Sequence, residues 1–213
     1  MKIVEPSVTL LWVTSNPEKK IEGAGRTCYK SEDRISEYSA SGFAARMVKS
    51  GHHAMLEHAV ASFRIVTDRG ISHEIVRHRI ASYAQESTRY CNYSGDKFGT
   101  ECSFIKPPGM DEWQEAAWMH ACISAELAYL DMVGLGCTPQ IARSVLPTCL
   151  KTELVMTANF REWRHFIKLR GSLDAHPQIR PIAYAILRKL RPHAPGVFAD
   201  IDFNDKEGDH ETV

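Results

Sequence analysis

Over residues 59–67, apolar side chains alternate with the polar side chains of Ser62 and Arg64. A period of two residues is typical of a β-strand with one buried face. Two further stretches, residues 3–13 and 152–158, have strand-like content. The apolar pattern therefore predicts at least three strands.

Helical patterns with recognisable ends fill much of the remaining chain. Asn16 and Thr138 each precede a proline, as at a helix start, and Asn159 can cap a third helix. Gly51 suits the left-handed residue that often follows a helix. We predict helices over residues 17–29, 41–50, 72–79, 111–133, 138–147, 159–171 and 181–190. Because helices outnumber strands and do not alternate with them, the class is α+β.

The chain shows no internal repeat, no low-complexity linker and no abrupt change of composition. We therefore expect one domain over residues 1–203. The last ten residues, 204–213, are polar, and we expect them to be a frayed tail.

Charge and cysteine usage narrow the class of protein. Lys plus Arg and Asp plus Glu each number 26, so the net charge is zero and any anion site must be local. The start lacks the pattern of a signal peptide, and no apolar run approaches the roughly 18 residues of a membrane span. We expect a cytoplasmic protein, with no membrane partner, whose six scattered cysteines are reduced thiols.

The densest chemical signal is RHRIASYAQESTRY, residues 77–90. Since helical residues lie about 100° apart, Arg77, His78 and Arg79 are predicted to fan around the end of a helix, where cations are favourable. Hydrogen-bond donors follow at Ser82, Gln85, Ser87, Thr88 and Arg89. A solvated basic turn is the plain alternative, but this density of donors favours a phosphorylated, planar ligand.

Four further motifs accompany this segment in order along the chain. The segment reads R-H-R-x7-S, and the others are GHHAMLEH (51–58), ARSVLP (142–147), Asn159-Phe160-Arg161 and Leu169-Arg170. Together they span about Arg26 to Arg191. This set resembles the flavin-dependent thymidylate synthases (the ThyX family).

The resemblance implies a single α+β domain with mixed helices and a central antiparallel-type sheet. It implies a methyltransferase that converts dUMP to dTMP with FAD, taking carbon from methylenetetrahydrofolate and electrons from NADPH. It further implies a homotetramer with active sites at subunit interfaces.

The same resemblance implies roles for individual residues. The expected FAD contacts are His52, Arg77, His78, Arg79, Gln85, Asn159, Arg161 and His165. The expected dUMP contacts are Glu74, Arg77, Gln85, Ser87, Arg89, Arg143 and Arg170. Arg170 also matches the arginine that stabilises the ionised uracil ring, and is the expected catalytic residue.

Elementary chemistry agrees with a binding role for Ser87. A serine hydroxyl is a poor nucleophile without an adjacent base, and the local sequence offers none dedicated to it. No cysteine stands in a nucleophile motif either. A reaction without an enzymic nucleophile needs hydride from reduced flavin, and a permanently charged guanidinium such as Arg170 to stabilise charge on the pyrimidine.

One short segment and two single residues depart from the family pattern. Ala84-Gln85-Glu86 stands where relatives carry the acidic and amide groups one place away. Ala54 replaces a hydroxyl residue that touches flavin, and Glu74 replaces a common glutamine. We expect these changes to affect affinity rather than reaction type.

Other interpretations of the same residues remain open. His52, His53, Glu57 and His58 match no zinc-protease spacing, so we predict no metal site. The chain has no G-x-G-x-x-G, which argues against a Rossmann site.

On the basic helix 159–171, Arg164 and Lys168 are expected on a solvated or phosphate-touching face, and Trp163 and Phe166 in the core. The rival functions are another flavoprotein acting on a pyrimidine nucleotide and a non-catalytic nucleotide- or RNA-binding module. Salt-dependent polynucleotide binding, which we predict to be absent or weak, would identify the module.

Overall fold

Strands and helices occupy most of the predicted positions. The computed structural model describes residues 1–95 and 99–203. The strands are β1 (Lys2–Ile3), β2 (Ser7–Val13), β3 (Val60–Asp68), β4 (Ala81–Gln85), β5 (Ser103–Phe104) and β6 (Lys151–Asn159). The helices are α1 (Pro17–Thr27), α2 (Ser39–Lys49), α3 (Arg69–Ile75), α4 (Glu112–Gly134), α5 (Pro139–Ala142), α6 (Phe160–Arg170), α7 (Ile179–Leu190) and α8 (Pro195–Phe198). Short 3-10 helices cover Glu32–Arg34, His53–His58 and Arg143–Val145.

The main sheet has four strands in the order β2-β3-β6-β4. The Phe160 N–H donates to the Ala59 carbonyl at 2.8 Å, and the Arg69 N–H donates to the Leu150 carbonyl at 3.1 Å. These bonds join the start of β3 to the end of β6 and the reverse, so the two strands are antiparallel. A second sheet pairs β1 with β5 in parallel. The predicted α+β class with an antiparallel-type sheet is confirmed.

Several predicted helix ends are also confirmed. The Asn159 side chain accepts the Glu162 N–H at 2.9 Å and caps the start of α6, and Gly171 is the C-cap that follows its last residue, Arg170. Gly51 has φ 72° after α2, the left-handed conformation expected there. Asn16 precedes α1 but makes no side-chain cap hydrogen bond. The predicted helix 138–147 is shorter, because α5 passes directly into a 3-10 turn.

The predicted helix over residues 72–79 is wrong at both ends. The Asp68 carboxylate accepts the Ile71 N–H at 2.7 Å, so α3 begins at Arg69 and ends at Ile75. His78 and Arg79 lie outside any helix, just before strand β4. The expectation that three consecutive basic residues fan around a helix is therefore wrong. The residues that follow form strand β4 in the main sheet, and the local sequence pattern did not predict this strand.

The chain divides into two compact units, each assembled from separate segments. The first unit comprises Met1–Ser7, Val66–Arg77 and Ala84–Leu154, and the second comprises Val8–Ile65, His78–Tyr83 and the chain from Val155 onward. That residues 1–203 act as one domain stays a prediction. The tail predicted at 204–213 lies outside the described residues.

Each unit has its own apolar core. In the first unit, Phe104, Cys122, Tyr129 and Leu150 are buried together. In the second unit, the Trp163 ring packs edge-on against Phe63 at 5.0 Å, and its indole N–H donates to the Ala61 carbonyl at 3.1 Å. All six cysteines are free thiols, as predicted. Among the helices of residues 1–95 and 99–203, none has the length and apolar content that crossing a membrane requires.

Helix α6 shows where the prediction for its basic face fails. Arg164 is 4% exposed, and its guanidinium holds the Asp200 carboxylate through two hydrogen bonds of 2.6 and 2.7 Å. It also donates to the Val197 carbonyl. The solvated position predicted for Arg164 is therefore wrong, because α8 and the residues that follow it supply its partners. Lys168 is exposed as predicted, and Trp163 and Phe166 are fully buried as predicted.

Replacing Asp200 with asparagine is expected to lower the free energy of unfolding by about 1 kcal/mol at neutral pH, because Arg164 loses its charged partner while solvent screens the half-exposed carboxylate. The Arg164 hydrogen bonds lower the pKa of Asp200 to about 2. Because this pKa is lower in the folded protein than in the unfolded chain, the ionised Asp200 stabilises the fold at pH values above its ordinary pKa. This contribution to stability is lost as the pH falls through about 2. Urea unfolding at several pH values measures the difference, with exposed Asp202→Asn as the control. A difference that does not shrink in acid would contradict this assignment.

Candidate functional site

In the first unit, the structure brings Ser87, Arg89 and Arg143 to one place. Arg89 Nε donates to Gln140 Oε1 at 3.0 Å, and Arg143 Nη1 donates to Thr88 Oγ1 at 3.0 Å. These two bonds connect the segment after β4 to helix α5 and the turn that follows it. Both arginines are exposed, so an anion can reach their guanidinium groups.

The hydroxyl of Ser87 supports a binding role rather than a nucleophilic one. Its Oγ accepts the Arg89 backbone N–H at 3.3 Å. A peptide N–H cannot take the hydroxyl proton, so this contact orients the serine without activating it.

Gln85 uses its amide nitrogen inside the fold. Its Nε2 donates to Ser72 Oγ at 2.9 Å and to Thr152 Oγ1 at 3.1 Å. An amide nitrogen carries two hydrogens, so both donors are engaged. A nucleotide contact by the Gln85 side chain would therefore use its carbonyl oxygen.

The neighbouring Glu86 is structural. Its two carboxylate oxygens accept from the Tyr93 hydroxyl at 3.0 Å and from Lys151 Nζ at 2.8 Å. Burial and this carboxylate raise the pKa of Tyr93. The departure noted at 84–86 thus places the acidic group in an internal network.

Glu74 and Arg77 flank the end of α3, also in the first unit. The Arg77 N–H donates to the Glu74 carbonyl at 3.3 Å, which closes the turn after the helix. The Arg77 side chain is exposed and that of Glu74 is half-buried.

The second unit contains a buried cluster around His78. His78 Nδ1 lies 2.9 Å from Glu162 Oε1, and Arg170 Nε donates to His78 Nε2 at 3.1 Å. The ring also packs against Phe166 at a centroid distance of 4.9 Å. His78 and Glu162 are 4% and 6% exposed.

These contacts indicate which nitrogen of the His78 ring carries the proton. Because Nε2 accepts a hydrogen bond, the proton of a neutral His78 lies on Nδ1 and points to the Glu162 carboxylate. Burial lowers the pKa of His78, with Glu162 opposing the shift. The Tyr83 hydroxyl donates to the His78 carbonyl at 2.7 Å, and burial raises the pKa of Tyr83 to about 12. Burial thus favours the neutral ring, and partners on both ring nitrogens fix its orientation.

The other predicted flavin residues of the second unit are more accessible. His52, Arg79, Arg161 and His165 are exposed, and Arg161 Nη1 donates to Glu57 at 2.7 Å. Asn159 is half-buried and caps α6. Exposed guanidinium and imidazole groups of this kind are suitable hydrogen-bond donors to a diphosphate.

Among the described residues, His78, Glu162 and His165 have possible metal-ligand atoms within 4.8 Å of one another. The histidines at 52, 53 and 58 are not part of this group. A cation there would face the Arg170 guanidinium, which already donates to His78. Electrostatic repulsion thus disfavours a metal at this cluster.

Sequence reasoning missed several residues that complete these groups. Gln140 and Thr152 carry no local motif, and their partners lie more than 50 residues away. Glu162 did have a local signal, because an acidic residue three places after a cap such as Asn159 is typical of a helix start. A shallow groove lined by Glu18, Tyr38 and His193, among others, contains none of the predicted site residues.

Comparison with known proteins gives one consistent family. The family described as thymidylate synthase complementing protein matches residues 9–196. Curated proteins named flavin-dependent thymidylate synthase are similar over most of their length. The one from Mycobacterium sp. (strain JLS) is 35% identical over 206 residues, covering 85% of this chain and 79% of its own. The one from Corynebacterium glutamicum is 36% identical over 222 residues, covering 92% and 85%.

A solved structure has the same fold. It is the UMP/dUMP methylase PolB from Streptomyces cacaoi bound with 5-Br dUMP, which aligns with a TM-score of 0.79 at 22% identity over 93% of this chain and 96% of that one. With the family match over nearly the whole chain, and the motif residues placed as described, the protein belongs to the flavin-dependent thymidylate synthase family.

Proposed function

We propose that this protein methylates dUMP to dTMP with the help of a flavin. The observation that carries the proposal is the match to flavin-dependent thymidylate synthases along nearly the full chain, with the R-H-R-x7-S segment intact at residues 77–87. The flavin is FAD, the carbon donor is methylenetetrahydrofolate, and the reductant is NADPH.

The flavin is held by a set of basic and amide side chains. The assigned residues are His52, Arg77, His78, Arg79, Gln85, Asn159, Arg161 and His165. Exposed guanidinium groups such as Arg79 and Arg161 bind a diphosphate through charge-assisted hydrogen bonds. Both His78 ring nitrogens have partners inside the chain, so its flavin contact would use other atoms.

The substrate is held by arginines and other polar side chains. The assigned residues are Glu74, Arg77, Gln85, Ser87, Arg89, Arg143 and Arg170. Arg89 and Arg143, fixed by Gln140 and Thr88, suit the phosphate of dUMP.

Arg170 is the assigned catalytic residue. When bound, reduced FAD supplies the hydride for the reaction. The guanidinium of Arg170 stabilises the negative charge that develops on the pyrimidine, because it stays cationic at any working pH. No cysteine or serine of the chain needs to attack the ring.

We assign the active form to a cytoplasmic homotetramer whose active sites lie at subunit interfaces. Six free thiols agree with a reducing compartment. Light scattering should give about four times the chain mass of 24.0 kDa. A monomeric active protein would contradict this assembly.

The reaction is tested with purified protein and dUMP tritiated at C5. We expect a yellow protein that releases tritium and forms dTMP only when both NADPH and methylenetetrahydrofolate are present. Omitting the folate is the control, since a different pyrimidine flavoprotein would not depend on it. A colourless protein that stays inactive after FAD is added would rule the function out.

A further inference from the structure

The carboxylate of Glu162 has no role in the function proposed above. It is 6% exposed in the first turn of α6, and its oxygen Oε1 lies 2.9 Å from His78 Nδ1. Arg170 is the last residue of the same helix. Burial of a carboxylate is unfavourable unless the group is paired, and the partner of Glu162 is His78.

His78 connects the two ends of this helix. It receives the Arg170 Nε–H at 3.1 Å on one nitrogen and meets Glu162 on the other. An imidazole can accept on Nε2 only when the proton is on Nδ1, and a carboxylate beside Nδ1 selects that tautomer. Glu162 therefore determines whether His78 can hold the arginine.

We propose that Glu162 and His78 act as positioning residues that fix the orientation of the Arg170 guanidinium for catalysis. The inference rests on the proposed function, in which Arg170 stabilises charge on the pyrimidine. A long arginine side chain has many rotamers, and a hydrogen bond donated by Nε–H restricts the plane of its fork. Preorganised donors stabilise a transition state better than mobile ones.

The surroundings keep His78 itself from moving. The Tyr83 hydroxyl donates to its backbone carbonyl at 2.7 Å. The Phe166 and His165 rings pack against it at 4.9 and 5.2 Å. Because the backbone and one face of the ring are held in place, the tautomer that Glu162 favours presents an unprotonated Nε2 to Arg170.

We call the contacts from Glu162 through His78 to Arg170 the relay. Three variants test it by measurement of kcat, the KM for dUMP and the flavin content. Glu162→Leu and His78→Phe keep similar volumes but remove the carboxylate and the acceptor. Each is expected to lower kcat by about 10- to 100-fold, since small misplacements of a catalytic group have effects of this size. Glu162→Gln retains a carbonyl that accepts from Nδ1–H, so its kcat should stay within about threefold of the unaltered protein.

A matched control separates positioning from general stability. Glu22 is also a buried carboxylate in the second unit, 1% exposed and bonded to Arg26 at 2.8 Å. Glu22→Leu should lower the melting temperature yet leave kcat unchanged. A loss of kcat in Glu22→Leu equal to that in Glu162→Leu would overturn the proposal.

The double variant with Arg170→Ala gives the decisive comparison. If Glu162 acts through Arg170, adding Glu162→Leu to Arg170→Ala causes no further loss of kcat. Independent, additive losses overturn the relay. An inactive unaltered protein refutes the proposed function itself, whereas an active one whose Glu162→Leu form keeps full kcat refutes only the relay.

Nitrogen-15 NMR of histidine-labelled protein tests the relay without turnover. The His78 signal, assigned by its loss in His78→Phe, should show a protonated Nδ1 and an unprotonated Nε2. In Glu162→Leu the Nε2-protonated form should gain population. A proton on Nε2 in the unaltered protein, or a tautomer indifferent to Glu162, would overturn the inference. Activity that responds to a chelator would instead indicate a metal at His78, Glu162 and His165, and would also overturn it.

Discussion

Replacing Arg170 with alanine is expected to lower kcat by about 100- to 1,000-fold, the loss typical when one preorganised charge-stabilising donor is removed. Bound flavin should remain, because the exposed basic residues assigned to FAD are unchanged. Tritium release from dUMP measures the first effect, and flavin absorbance per chain measures the second. Arg170→Lys should recover only part of the rate, since an ammonium keeps the charge but lacks the planar fork.

Arg188→Ala is the matched control for this experiment. Arg188 is exposed in the last turn of α7, in the same unit as Arg170. It removes the same charge and volume away from the assigned residues, so kcat should not change. Loss of flavin from Arg170→Ala at unchanged kcat per bound flavin would show that Arg170 holds the cofactor instead.

Replacing Trp163 with alanine is expected to lower the free energy of unfolding by about 3–5 kcal/mol. The side chain is fully buried, packs against Phe63 and Phe166, and donates to the Ala61 carbonyl. Its removal leaves a large cavity and an acceptor without its partner. Urea unfolding at fixed protein and flavin concentration measures the change.

Trp113→Ala makes the same substitution at an exposed site. Trp113 lies in the first turn of α4 and is 86% exposed, so its loss should change the free energy of unfolding by less than about 0.5 kcal/mol. Equal destabilisation by the two substitutions would contradict the core assigned here. Trp163→Phe should be intermediate, because it keeps an aromatic ring but loses the indole N–H.

Much of the fold could be read from local rules. The cap at Asn159, the end at Gly171 and the alternation after residue 59 each place an element correctly. These signals work because they depend on backbone groups a few residues apart. The helix over 72–79 fails because Asp68 supplies an earlier cap and strand β4 takes the residues beyond Arg79.

The sequence motifs identified the candidate site residues, but they did not predict which of these side chains are buried or paired. The R-H-R-x7-S spacing indicates the family, yet it does not distinguish the exposed Arg77 and Arg79 from the buried His78 between them. The prediction for Arg164 on α6 was wrong, because no local pattern reveals that Asp200 pairs with this residue. Burial of a charge depends on segments that arrive from elsewhere in the chain.

The amino-acid order alone determined the class of fold, the family and the set of polar residues available for chemistry, since all of these follow from short-range periodicity and motif spacing. Only the tertiary structure decided which of those residues are partners. His78 meets Glu162 and Arg170 across 84 and 92 positions of sequence. A hydrogen bond forms only when its two heavy atoms lie about 3 Å apart, so these partners can be identified only once packing has brought distant segments of the chain together.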